Sequence, residues 1–195
     1  MWAKQRLCLI TQSIGWMPSF SKWPPLVRVP LRYGLVIGVV GFVLLLILYY
    51  TNHHPFLIPV FVDYRIALFA IVFIFALKEL RDYHYQGVLY FWQGMLGTFL
   101  ITLIFGLIAS TAIYLYATYN QEFVQSYINL SLKQVQALTD EDINQIGRNV
   151  YDTSIVSLKQ ADAYFLAIRY FVQSFIISFF LSIIISVILR KSPNL

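Results

Sequence analysis

The chain has 195 residues, of which 59% are hydrophobic and 12% charged, with a formal net charge of +5. Soluble domains carry about 25% charged residues, so about half the usual charge is missing, as a lipid environment requires. Four spans of ~20 residues use most of the apolar sequence and exclude a separate soluble enzyme domain. The basic residues flank apolar runs, which favours orientation signals over a nucleic-acid surface.

Residues 1–32 form a basic, aromatic segment with Lys4, Arg6, Lys22 and Arg28 and no acid. Pro18, Pro24, Pro25 and Pro30 argue against a continuous helix through residues 18–30. Tryptophans 2, 16 and 23 beside these cations suit a headgroup interface, with a loosely ordered tail as the other reading. Residues 1–20 lack a continuous apolar core and a small-residue cleavage site, so no cleavable signal is expected. Both Met1 and Met17 stand as possible starts. The single Cys8 offers no internal disulfide.

The first span is read at residues 33–50, with Gly34 and Gly38 as a small-residue pair permitting close helix approach. A short crossing loop follows, carrying His53 and His54. Adjacent histidines without a nearby Cys, Asp or Glu do not meet metal-ligand spacing. The second span is read at residues 60–80. Its apolar core, residues 66–77, is only about 18 Å long as a helix, so the span takes in Asp63 and Arg65, placed at the outer edge of the hydrocarbon. A polar turn at residues 78–87 carries Lys78, Arg81, Asp82 and His84.

The third span is read at residues 94–116, where Thr98, Thr102, Gly106 and Ser110 recur every four residues along one face. Residues 117–163 form the one long polar segment, read as two short amphipathic helices over the bundle, with Thr139 and Asp142 at capping spacing. The fourth span, residues 164–189, repeats serine at Ser174, Ser178, Ser182 and Ser186. That pattern predicts a helix–helix seam; a hydroxyl-lined pore is the sharper alternative. Residues 190–195 are the tail, opening with Arg190 and Lys191.

Four spans place both termini on one side. Nine Lys/Arg fall there, including the anchors Lys78, Arg81, Arg190 and Lys191, against five on the other side. The positive-inside rule then puts both termini and the 78–87 turn in the cytoplasm, and residues 117–163 outside. Two charges remain at similar depth near the outer face, Asp63 and Arg169. An ion pair between them is expected because unpaired charge there is unfavourable; separate snorkelling to the headgroups is the other outcome. The span centres read as free of ionisable residues, which argues against a proton or cation relay.

Tyr33-Gly34 opening a span, the turn with Lys78, Arg81 and Asp82, Phe91, Gln93 and Gly97 opening the next, and a long segment from about Glu122 give the chain its resemblance to a family. It resembles the small bacterial four-helix membrane proteins grouped as domain-of-unknown-function family forty-one ninety-nine, across roughly residues 31–189. The resemblance implies an all-α polytopic fold in a bacterial inner membrane, and implies no activity or catalytic residues. No phosphate loop, zinc motif or CxxC is present, so no catalytic, cofactor or metal site is expected, and no enzyme. The expected role is a non-enzymatic accessory or scaffold subunit, with the bilayer and a homo-oligomer or membrane-protein partner as its contacts. The alternative is a small oligomeric transporter or channel component for a neutral or apolar substrate.

Overall fold

The computed structural model describes residues 23–51, 54–59 and 62–191. The readings made on Cys8, His53, Met1, Met17 and the rest of residues 1–22 lie outside them. The described chain is all-helical, with seven helices. α1 is Pro25–Tyr50, α2 Tyr64–Glu79, α3 Phe91–Tyr119, α4 Gln121–Gln136, α5 Asp140–Ile146, α6 Arg148–Lys159 and α7 Ala163–Leu189. Three of them, α1, α3 and α7, are long and apolar enough to cross a membrane.

Helix α1 begins eight residues earlier than its apolar run. Pro25 occupies the first helical position, where its missing N–H costs nothing. Pro30 then sits inside the helix and buried, in the second turn rather than at a boundary. Trp23 and Pro24 stand outside the helix, so no continuous helix runs across residues 18–30, and the later prolines fall in its first two turns. Glycines 34 and 38 face α3: a Cβ on Gly34 would meet Ile104 Cβ at 2.8 Å, and one on Gly38 would meet Ile108 Cβ at 2.9 Å. The absence of side chains at these positions sets the α1–α3 separation.

Helix α3 is the centre of the bundle and packs along both α1 and α7. Its N-terminus is tied by the Tyr90 N–H donating to Gln93 Oε1 at 3.0 Å. At the other end Asn120 interrupts the helix and starts α4, its side chain accepting from the Phe123 N–H. Helix α7 is capped by Asp162, which accepts from the Phe165 N–H at 2.8 Å.

Helix α2 departs most from its expected bounds. It has 16 residues, about 24 Å of rise, and begins at Tyr64 because Asp63 caps it, accepting from the Arg65 N–H at 2.9 Å. It ends in a wider turn, Leu80–His84, in which the Tyr85 N–H reaches back to the Leu80 carbonyl at 3.0 Å. The loop before α2 is drawn against the bundle end. Pro55 and Phe56 are buried in a short 3₁₀ turn, Pro55–Leu57. Non-helical backbone beside a membrane is stable when enclosed by protein, and α4 and α1 enclose it here.

The polar segment between α3 and α7 holds three helices rather than two. Thr139 and Asp142 form a reciprocal cap at the start of α5, and Gly147, at φ +94°, separates α5 from α6. Only Gly adopts that conformation without strain.

Candidate functional site

Asp63 and Arg65 lie two residues apart at the start of α2. The cap conformation folds the Asp63 carboxylate back over the helix end, where it meets the Arg65 guanidinium. Arg65 Nε donates to both Asp63 oxygens at 2.9 and 3.0 Å, and Nη2 donates to Oδ2 as well. Both side chains are only 2% exposed. Arg65 Nη1 crosses to α7, donating to Ser174 Oγ at 3.0 Å and towards the Tyr170 carbonyl at 3.4 Å. The guanidinium carbon lies 4.5 Å from the centre of the Tyr170 ring. The Tyr170 hydroxyl bonds that of Tyr64 at 2.8 Å, and Tyr64 donates onward to the Gly41 carbonyl of α1 at 3.2 Å. One polar knot thus joins α1, α2 and α7.

The expected Asp63–Arg169 ion pair is not the one formed. Asp63 has Arg65 as its partner, and Arg169 donates to the Tyr127 hydroxyl of α4. The depth differs too. Arg65 meets α7 at Ser174, and the knot reaches α1 at Gly41. These positions lie roughly 15 Å along α7 and α1 from the start of α7 and the end of α1, at 1.5 Å per residue, well inside the bundle. The charge expected at the edge of the bundle is therefore enclosed within it, neutralised within two residues of sequence. The signal was present in the sequence: an Asp two residues before an Arg at a helix start is an N-cap able to fold onto its neighbour.

Above this knot stands a box of aromatic rings. Phe56 packs 6.0 Å from Tyr170 and 5.8 Å from Tyr127, centre to centre. His54 stacks on Phe123 at 5.1 Å and meets Tyr49 edge-on at 5.9 Å. Its Nε2 lies 3.4 Å from the Phe123 carbonyl, while its buried Nδ1 has no hydrogen-bond partner among the described residues. Burial lowers the His54 pKa below the usual histidine value, against a smaller opposing effect of the Phe123 carbonyl. A neutral imidazole wedged among rings pins the crossing loop to α4.

The small-residue strips of α3 and α7 meet. Thr98 and Ser182 share a hydroxyl–hydroxyl bond, and Ser182 also reaches the Met95 sulfur at 3.3 Å. Thr98 donates to the Gly94 carbonyl at 2.9 Å, Thr102 to Thr98 at 3.0 Å, Ser174 to Tyr170 at 2.7 Å and Ser178 to Phe175 at 3.1 Å, all within their own helices. Ser110 is half-buried and bonds the Gly106 carbonyl at 2.5 Å. Gly94 lies against Ser186, where an added Cβ would come 2.8 Å from Oγ, and Gly106 against Phe171. The Ser186 Oγ is buried and has no partner among the described residues.

The opposite end of the bundle carries the topology anchors. Glu79 at the end of α2 accepts from Arg32 at 2.5 Å and from the Tyr33 hydroxyl at 2.9 Å, locking α2 to α1. Arg81 pairs with Asp82 at 2.7 Å, and this hydrogen bond holds the Asp82 pKa below the usual carboxylate range. Lys191 forms a two-way backbone bridge with Leu89, which brings the end of α7 beside the start of α3. Lys78 and Arg190 are exposed nearby. Among the described residues, no group of three or more His, Cys, Asp or Glu side chains could hold a metal ion.

Long apolar helices around enclosed polar ties define the class: an all-helical protein with the make-up of an integral membrane protein. Within that class the chain belongs to DUF4199, a family described as protein of unknown function, whose model matches residues 32–191. No curated protein and no solved structure matches it.

Proposed function

We propose that the chain is a four-span inner-membrane protein of a bacterium, serving as a non-enzymatic accessory or scaffold subunit. In this reading α2 and the few residues just before it make the second crossing, and His54 lies in the outer loop. Both termini and residues 78–87 lie in the cytoplasm, where Lys/Arg are in excess, and α4–α6 lie outside. The observation that carries the reading is how the hydroxyls of Thr98, Thr102, Ser174, Ser178 and Ser182 are used. Each is hydrogen-bonded to protein in the bundle. A pore or carrier for a solute would turn such groups to water. In a scaffold, bonds such as Thr98–Ser182 and Arg65–Ser174 run between helices and fix their separation, while Thr102 and Ser178 satisfy their own helices.

Single cysteines at Ser174, Ser178, Ser182 and Ser186 test this. The seam reading expects little reaction with a water-soluble thiol reagent in membranes. Ready labelling at the inner positions would instead support the transporter or channel component. The accessory role is tested by mild-detergent purification at native expression followed by mass spectrometry. It expects a membrane protein in constant stoichiometry; a lone, monodisperse chain contradicts it.

A further inference from the structure

Beside α7, under α4 and α6, runs a groove of about 540 Å³. One wall is a single face of α6, where Asn149, Thr153 and Ser157 follow each other at four-residue spacing with Leu158 at the edge. The other wall is α7, through Phe165 and Arg169. The lining combines the apolar side chains of Val135, Leu158 and Phe165 with hydroxyls along α6 and one cation. Arg169 is exposed, and one nitrogen is held by the Tyr127 hydroxyl, with the guanidinium carbon 5.5 Å from the Tyr127 ring centre. Among the described residues it forms no salt bridge. The buried Arg65 is by contrast fully neutralised.

We infer that this groove binds the phosphate of a bilayer phospholipid, with Arg169 as its charged partner and the apolar lining side chains meeting the start of an acyl chain. The inference rests on the reading that α7 crosses the bilayer. Helix α7 has 27 residues, about 40 Å of rise, against a hydrocarbon core of ~30 Å. Arg169 is about 9 Å from the start of α7, and helical side chains lean towards the N-terminus. That places a guanidinium with no carboxylate partner among the described residues at the headgroup boundary, where lipid phosphates lie. Tyr127 holds it by a single bond, which leaves further N–H donors for a phosphate oxygen pair. The depth favours a lipid over an acidic protein segment, which would dock on the water-facing side of α5 and α6.

The test is native mass spectrometry of the detergent-purified full chain with added phosphatidylglycerol or phosphatidylethanolamine. Wild type is expected to retain one lipid, with roughly tenfold weaker retention in Arg169→Gln and a smaller loss in Arg169→Lys, as for charge-assisted contacts generally. Ser157→Phe fills the groove and leaves Arg169 in place; it too is expected to lose the lipid, and it keeps the test valid should Arg169→Gln fold poorly. Equal retention in wild type, Arg169→Gln and Ser157→Phe overturns the inference. So does displacement of the lipid by millimolar inorganic phosphate, which would mark an aqueous anion site. Failure of the topology described above would leave the Arg169 dependence unchanged, so the two readings fail separately.

Discussion

Arg65 can be buried 2% exposed because it brings its own counter-charge. The Asp63 carboxylate is both helix cap and ion-pair partner, so one side chain satisfies an orphan N–H and a guanidinium together. Removing one member leaves the other charged and buried, which costs about 3–5 kcal/mol in comparable pairs. Arg65→Met is therefore expected to lower thermal stability in detergent sharply. Asp63→Asn with Arg65→Met keeps a cap and removes both charges, and is expected to recover much of the loss. A double variant no more stable than Arg65→Met would remove the ion pair from the account. His54 makes a second prediction. Its lowered pKa means the unfolded chain binds the proton more readily, so stability rises with pH. Its full contribution is present above about pH 6.5 and is lost as pH falls through the lowered folded value. Melting temperatures at pH 7.5 and 5.5 should differ in that sense, and His54→Gln should flatten the difference. Asp82 and Asp142, both held below the usual carboxylate range by hydrogen bonds, contribute above the ordinary carboxylate pKa, about 3.9, and lose their effect below it, outside this window. These residue-level roles were hard to read in the sequence. Asp63 and Arg65 were visible as charges in an apolar run, but their pairing depends on the extended backbone at the cap, and the sequence pattern favoured the distant Arg169.

At the scale of elements, helix separation is set by residues that have no side chain. In α1, a methyl on Gly38 would meet Ile108 at its Cβ, 2.9 Å away, a branch point fixed by its own backbone. The α1–α3 contact must then open. Gly97 differs: its nearest atom would be the end of the Leu80 side chain at 3.3 Å, which can give way. Gly38→Ala is therefore expected to destabilise by about 1–3 kcal/mol, as overpacking does, despite the better helix propensity of Ala. Gly97→Ala should be close to neutral. Equal melting temperatures for the two variants would contradict the packing described. The long helices α1, α3 and α7 were legible because twenty-odd apolar residues admit few other structures. The start of α1 was not, since Pro25 and Pro30 read as breakers and only their place in the first two turns makes them tolerable. Gly147 separated α5 from α6 by a positive φ that no pattern of apolar residues reveals.

For the whole molecule, the polar ties have a consistent placement. Arg32, Tyr33 and Glu79 join α1 to α2 at one end, where the Leu89–Lys191 bridge also lies. The Asp63–Arg65 knot and the aromatic box join α1, α2, α4 and α7 towards the other. Helix α2 has 16 residues, fewer than α1, α3 and α7, and in the proposed topology it makes the second crossing. The proposed topology puts residues 78–87 and the α4–α6 segment on opposite sides of the membrane. Single cysteines at His84 and Gln145, probed in intact cells and after permeabilisation with a membrane-impermeant maleimide, measure this. The four-span account predicts that Gln145→Cys is labelled in intact cells and His84→Cys only after permeabilisation. Labelling of both positions from the same side would contradict it.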